Sequence, residues 1–533
     1  MIPKSWDRRL YWWSLGLYVV LAVAALASGI TSWDEETDYL GIRTQIAHAV
    51  QILHGDSPDY RDIHANLEYY GTVGLLPAWI LWFIQQSVLV GRLSLVQALF
   101  YPAAEHQLTG FYFTSHLVLA SEFILLSWVV ILLSRELRLR YSFLSGCLVL
   151  FTPSLIGHSF VNPKDIPFAL FYTLYTLALV KRSANSDNRW IGLAVLSSGL
   201  LINQKFVALA PVICSEMVLF FVQRHSLRSI WKNLSVPFSA LAFALLLQPA
   251  SWGLLPWVYL HETFETFARH EWGGCMWWGG SCIGINQAEW STWKYILKWI
   301  SVKVPALIVL LIIVQQVNLF FHFCQRKVRL RDPWLFVLGQ LLLIPFLAVL
   351  RQSNLYDADR HLLFIYPPMA VLATAGFGYL WTIHQSPHCR MFWRSVVCIL
   401  AAVLVVDILL INPYQISYLN EFARPFHSHK TTALDFWGVS AKESIRQAQL
   451  NDQLQLNPVV FDNISLLPLF IGLRQLSGHV SRDKSHPSLL IQLRDASSFN
   501  QLSGCETVAD VKRNLLPSVS LTMSRLLLCE PDQ

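Results

Sequence analysis

Runs of roughly 20 apolar residues recur along most of this chain, from Leu10 to Ile411. A bilayer hydrocarbon core of ~30 Å is crossed by ~20 apolar residues wound as a helix. Within lipid every backbone N–H and C=O must be satisfied inside the protein, so spanning segments are helices or closed barrels. Repeated runs of that length therefore restrict the chain to a bundle of membrane helices. Composition agrees: 54% of the 533 residues are hydrophobic and 14% are charged, against about 25% charged in soluble domains. The net charge of +6 reads as basic loops on the cytoplasmic side rather than a nucleic-acid surface. Lys4, Arg8 and Arg9 followed by an apolar stretch imitate a signal peptide. The length of that stretch and the many that follow favour an uncleaved first helix.

The apolar runs lie at 11–30, 113–134, 142–160, 166–181, 189–203, 205–222, 234–250, 295–315, 334–350, 361–381 and 392–411. The expected fold class is an all-α polytopic bundle of about 11–13 transmembrane helices. Loop charge orients it, because Lys and Arg collect on the cytoplasmic side. Arg135, Arg138 and Arg140, then Lys181 and Arg182, then Arg224 and Arg228, then the RKVRLR stretch Arg326–Arg331, then Arg390 and Arg394 all fall inside if the N-terminus is cytoplasmic. That holds only if the ambiguous run 71–90 makes no net crossing. It is expected to be re-entrant or interfacial, or half of a pair with 93–101. Segments 31–70, 161–165, 251–294 and 351–360 then lie outside. The tail from about 412 also lies outside, in a bacterial inner membrane or the endoplasmic reticulum.

The transmembrane part is placed at 1–411 and an extracytoplasmic α/β domain at 412–533. In the tail apolar and polar residues mix, and the short β-like stretches PVVF (458–461) and SLLIQL (488–493) accompany a helical piece at 440–450. Nine cysteines include no CxxC pair, which argues against a zinc site. In an oxidising compartment Cys275 and Cys282, and Cys505 and Cys529, are the candidates to form disulfides, whereas Cys324 and Cys389 stay reduced.

Candidate chemistry sits in the outer segments. The first loop opens SWDEETDY, with Asp34, Glu35, Glu36 and Asp38 directly after the first helix. A carboxylate beside an apolar wall suits a general base acting on a hydroxyl; the plain alternative is a solvated acidic loop. An amphipathic stretch, Leu40 to Leu53, follows and is expected to lie in the interface, and then Tyr69 and Tyr70. The second turn reads HSFVNPKDIPFA and carries Lys164 and Asp165, which the plain reading pairs with each other. The third loop, EWGGCMWWGGSC, holds Trp277 and Trp278, placed either to stack on sugar or as an aromatic belt. Beyond it come Lys298 and Lys303. The fourth reads YDADRHLLFIYPP, with Arg360 and His361 at the depth of a lipid phosphate; the plain reading pairs Arg360 with Asp357 or Asp359. Glu122, inside an apolar run, has no assignment.

Together these residues resemble the GT-C superfamily of polyprenyl-phosphate-sugar glycosyltransferases. The likeness is to the protein O-mannosyltransferase and aminoarabinose transferase branch, including bacterial members with RgtA/B/C/D-like domains. It covers roughly residues 1–440. The matching features are Trp33-Asp34-Glu35, Asp165 in the next outer turn, Arg360-His361 with Pro367 and Pro368, and INPYQISYLNEF followed by DFWG (435–438). Thr37, Asp38 and Tyr39 stand where the mannosyltransferases carry His and Phe, and no MIR-like insertion is present. The resemblance implies an inverting transfer from a polyprenyl- or dolichyl-phosphate sugar to a lipid, glycan or protein hydroxyl. Asp34 would be the base, and Glu35 and Asp165 would orient the acceptor or support the cations. Arg360, His361, Lys303 and Lys164 would bind the donor phosphate, and Tyr69, Tyr70, Trp277 and Trp278 would contact sugar or acceptor. No cofactor is implied; the abundant carboxylates are compatible with a divalent metal, which this branch does not generally need. The alternative from another class is a polytopic lipid or glycan transporter or flippase, which should place charges near the midplane, often in two related halves. A third is an inert scaffold with an outer binding domain.

Overall fold

The computed structural model describes residues 6–32, 34–56, 69, 71–89, 94–100, 105–184, 188–223, 227–253, 256–268, 275–278, 281–284, 291–324, 332–382, 386–427, 432, 434–450, 459–460, 480–481, 488–492, 505–516 and 519–529. Each of the eleven apolar runs is helical. Among the described residues five helices are long and apolar enough to cross a membrane: Trp6–Ser28, Gln107–Glu136, Pro333–Arg351, Arg360–Thr382 and Pro387–Ile411. Counting each of two bent pairs as one span gives up to seven. Two further apolar helices, Phe206–Phe221 and Asn233–Leu246, are shorter.

The long helices are apolar on their outer faces as well as their inner ones. In the first, Tyr11, Tyr18 and Ala25 recur at heptad spacing and are buried, while Trp13, Val20 and Val23 face outward and are exposed. In the last, Ile399, Leu409 and Leu410 are exposed. A helix hydrophobic all round belongs to a large core or to lipid. Asp165–Ala184 is buried along nearly its whole length and forms the centre of the bundle.

Proline breaks both bent pairs. Ser142–Leu150 meets Pro153–Val161 at 61°, and Thr292–Lys303 meets Ala306–Phe321 at 113°. Pro305 has no N–H to donate and forces Val304 out of the α region; Val304 is extended, at φ −73° and ψ 123°. The carbonyls freed there are satisfied from the far end of the chain. Asn420 Nδ2 donates to Ser301 O at 2.7 Å and to Val304 O at 2.8 Å, and Glu421 Oε2 accepts from Ala306 N at 3.0 Å.

The 71–90 run is a nine-residue helix, Leu76–Ile84, followed by a π turn, Gln85–Leu89. Nine residues reach ~14 Å, too little to cross a bilayer. The acidic segment continues as the helix Glu35–His54, which buries Ile42 and leaves Leu53 exposed.

After the last long helix the chain packs back on the bundle, then forms the helix Ala441–Leu450 and a small sheet. Strands Cys505–Leu515 and Val519–Cys529 pair antiparallel, and Ser488–Gln492 adds to the second. Val459–Val460 pairs parallel with Ser488–Gln492 and with Val480–Ser481. A fully buried ion pair ties this part to the last helix: Arg424 Nη2 lies 2.6 Å from Asp407 Oδ2. Asp407 Oδ1 also accepts from Leu516 N at 2.9 Å. Arg446 donates to Ser28 O and Lys442 to Gly29 O, holding the Ala441–Leu450 helix over the end of the first.

Candidate active site

The first helix ends at Ser28, and Gly29 at φ 65° turns the chain toward Asp34. Four segments remote in sequence converge there. Asp34 and Asp38 come from the start of the Glu35–His54 helix. Lys164 and Asp165 come from the turn after Pro153–Val161. Lys205 comes from the break after Asn188–Gln204, and Asp357 and Arg360 from the turn before the helix Tyr366–Thr382.

Arg360 is the hub. Its Nη1 donates to Asp357 Oδ2 at 2.8 Å and to Asp34 Oδ2 at 3.4 Å, and its Nε lies 3.3 Å from Asp165 Oδ2. Its guanidinium carbon stands 4.9 Å over the Trp437 ring and 5.5 Å over Tyr356. Lys164 Nζ is 2.6 Å from Asp38 Oδ1 and 4.0 Å from Asp34 Oδ2, and Lys205 is paired with Asp165. So Lys164 and Asp165, neighbours in sequence, find different partners. The helix start between them aims Lys164 at the acidic helix and turns Asp165 inward toward Lys205 and Arg360.

Asn162 fixes that turn. Its Oδ1 accepts from Lys164 N and Asp165 N at 3.1 and 3.0 Å, and its Nδ2 donates to Asp165 Oδ2 at 2.8 Å. Gln204 sews the next segment on, accepting from Gly74 N and donating to the Pro163 and Lys164 carbonyls. Between these segments opens a small cleft, lined in part by Thr37, Asp38, Gln45, Lys164 and Lys205.

Burial pushes the Asp38 carboxyl up from 3.8 to about 6, helped by the charge of Asp34 and opposed by Lys164. Burial raises Asp165 too, but Lys205 and Arg360, with His361 behind them, outweigh it and hold the carboxyl well below the usual carboxylate range. The two aspartates are thus set apart by their cations. Asp34 remains the accessible carboxylate, its side chain 25% exposed against 3% for Asp38 and for Asp165. An accessible carboxylate beside a buried arginine and two partly exposed lysines can take a proton from a hydroxyl while the cations hold an anion.

Most of the remaining candidates lie away from this cluster, whereas His361 follows Arg360 and adds to the positive charge that Asp165 feels. Glu35 is buried, accepting from Ser32 N at 3.2 Å and meeting His116 Nε2 at 2.8 Å, which anchors the acidic helix to Glu105–Glu136. Lys303 is fully buried and donates to Ile416 O at 2.6 Å, away from the cleft lining. The His361 ring packs on Tyr356 at 4.7 Å. Tyr69 donates to Glu262 at 2.9 Å, and Trp278 packs on Trp299 and His427; neither lines the cleft. Tyr70 and the side chain of Trp277 lie outside the described residues, as do Trp33 and the side chains of Cys275, Cys282, Cys324 and Cys529. Cys505 is disulfide-bonded, and the strand register sets it opposite Cys529. Cys389 is a free thiol. Glu122 is carried by the helix Glu105–Glu136. Among the described residues no group of three or more His, Cys, Asp or Glu is arranged to hold a metal ion.

Sequence reading missed Lys205, Asn162, Gln204 and Trp437 as parts of the cluster. A lysine ending an apolar run was the available signal for Lys205, and NPKD for Asn162. No protein-family model matches this sequence, and no curated protein matches it significantly.

Proposed function

We propose that the protein is a membrane glycosyltransferase that moves a sugar from a polyprenyl-phosphate carrier to an acceptor hydroxyl on the non-cytoplasmic face. One observation supports this reading: Asp34, Asp165, Lys164 and Arg360, four of the residues singled out in the sequence, come together from three separate segments, and Lys164 lines the adjoining cleft. Ionised groups at the end of an apolar bundle are costly unless paired or used. Here carboxylates and cations are paired with one another, and we read the cations as the groups that would meet a departing phosphate.

In the proposed step the acceptor O–H loses its proton to Asp34 as its oxygen attacks the anomeric carbon. The bond from that carbon to the phosphate oxygen breaks on the opposite face, so configuration inverts. The electron pair leaves with the lipid phosphate, whose charge Lys164 neutralises, with Lys205 next along the cleft wall; placed cations of this kind stabilise charge as it develops. Asp165 holds Lys205 and Arg360, and Arg360 orients Asp34. Lys303, buried against a carbonyl, supports the fold around the Pro305 break.

Protein in lipid nanodiscs, supplied with polyprenyl-phosphate carriers bearing labelled hexoses or pentoses, tests the reading. Release of free polyprenyl phosphate together with transfer of the label supports it. Intact carriers after prolonged incubation would remove the support. Leaflet-to-leaflet movement of carrier without cleavage of the sugar–phosphate bond would favour the flippase instead.

A further inference from the structure

We infer that Trp437, in the segment that follows the last long helix, is a positioning residue for Arg360, so that the cluster is incomplete without the C-terminal part of the chain. Trp437 is 1% exposed and touches both arms of the site. On one side its ring lies 4.9 Å beneath the Arg360 guanidinium, and its Nε1 donates at 3.2 Å to Asp357 Oδ2. That oxygen also takes Arg360 Nη1. On the other side its ring meets His158 edge-on, with centroids 5.1 Å apart. His158 Nδ1 is 3.0 Å from Asn162 Nδ2, which donates onward to Asp165. One indole therefore abuts the contacts that end at Asp34 and at Asp165.

The backbone gives the indole something to hold. Asp357 and Ala358 are consecutive residues in the left-handed region, each at φ 57°. Non-glycine residues are strained there and persist only where surrounding contacts over-determine them. The contacts are Trp437 on Asp357, Tyr295 Oη donating to Ala358 O at 2.8 Å, and Arg360 itself. Trp437 is well placed for such a task, because its own turn is rigid. Gly438 takes φ 67°, and the Asp435 carboxylate accepts from Val439 N at 2.9 Å, Ser440 N at 2.8 Å and the Ser440 hydroxyl at 2.6 Å.

The test reads Arg360 placement without requiring transfer. Full-length wild type, Trp437→Phe and Trp437→Leu are treated with a water-soluble carbodiimide and an amine, and modification of each carboxylate is followed by peptide mass spectrometry. Asp510, paired with Arg525 in the C-terminal hairpin, is the reference. Trp437→Leu removes both the π face and the indole donor, so Arg360 should release Asp34. Modification at Asp34 should rise by roughly 3- to 30-fold, the factor that loss of a desolvated cation–π contact represents, with Asp510 unchanged. Trp437→Phe keeps a ring and should fall between. If Trp437→Leu fails to fold, the phenylalanine variant decides: Asp34 labelling equal to wild type overturns the proposal. So does a rise shared equally by Asp510, the mark of a merely structural tryptophan. A second arm rests on the glycosyltransferase reading. With polyprenyl-phosphate mannose as probe, Trp437→Phe should change the pH profile of transfer, because Asp34 sits in a different field. A wild type that transfers nothing, alongside the expected labelling change, overturns the transferase and leaves the positioning role standing.

Discussion

Asp34 and Asp38 are four residues apart and have opposite circumstances. The Asp34 side chain is 25% exposed, whereas Asp38 is buried against Lys164. If Asp34 is the base, Asp34→Asn leaves a near-isosteric side chain that cannot accept a proton. Transfer should fall roughly 10²–10⁴-fold with donor binding retained, and Glu36→Gln should stay near wild type. Equal losses in both variants would return Asp34 to the status of an ordinary loop acid. Arg360→Ala should instead unfold or loosen the protein as well, since removing one partner from a buried ionic cluster typically costs ~3–5 kcal/mol. Asp38 gives a stability signature. Its folded value, about 6, lies above the ordinary 3.8, so the native state binds the proton more tightly than the unfolded chain. The resulting stabilisation is complete below pH ~4 and disappears as pH rises through ~6. Measured against Asp38→Asn at matched pH, wild-type protein should lose order 1–3 kcal/mol across that window and stay level above it. A difference that does not change with pH would show that Asp38 does not hold its proton more tightly in the folded state.

Elements were legible where a single physical rule sets them. Each apolar run became helix, because length and hydrophobicity alone decide that. The tail strand at 488–493 and the helix at 440–450 also followed from periodicity. Breaks and partners were less legible. The 295–315 run reads as one span, yet Pro305 divides it into helices at 113°; its freed carbonyls are met by Asn420 and its Ala306 N–H by Glu421, more than a hundred residues away. Lys164–Asp165 reads as a local pair, but a helix start separates the two side chains, and no spacing rule indicates that Lys205 lies across from them. Close backbone approach is equally silent in sequence. A Cβ on Gly71 would stand 2.0 Å from Asn203 O, and Thr72 and Val73 N–H both donate to the Asn203 side chain. Gly71→Ala must therefore push the cleft wall off the Asn188–Gln204 helix. The expected cost is ~1–3 kcal/mol, in line with overpacking of a tight site, read as a lowered melting temperature in detergent. An alanine variant that melts with wild type would mean this wall yields freely.

At the scale of the whole molecule, the site, the disulfide and the C-terminal sheet all bear on the same question of sidedness. The basic segments after the long helices prefer the cytoplasm. The acidic first loop, the NPKD turn and the Arg360 turn gather at one cluster, so they share one face. The C-terminal part is tied to that face by Trp437 beneath Arg360 and by Lys442 and Arg446 on the end of the first helix. Whichever side holds the cluster therefore holds the sheet as well. Cys505 is disulfide-bonded in that sheet, and such bonds persist in oxidising compartments and are rare in the cytosol. Charge bias and redox chemistry are independent arguments for the proposal that the C-terminal part lies outside. A reporter active only in an oxidising, non-cytoplasmic compartment should be active when fused after Gln533, and a cytoplasm-only reporter should be silent there. In the same cells, a membrane-impermeant thiol reagent should leave Cys505 unlabelled until a reductant is added outside, and should label it afterwards. Activity of the cytoplasmic reporter, or failure of the impermeant reagent to label Cys505 even after reductant is added outside, would reverse the orientation. The cluster would then face a compartment in which Cys505 is a thiol, and the acceptor would have to be sought on the cytoplasmic side.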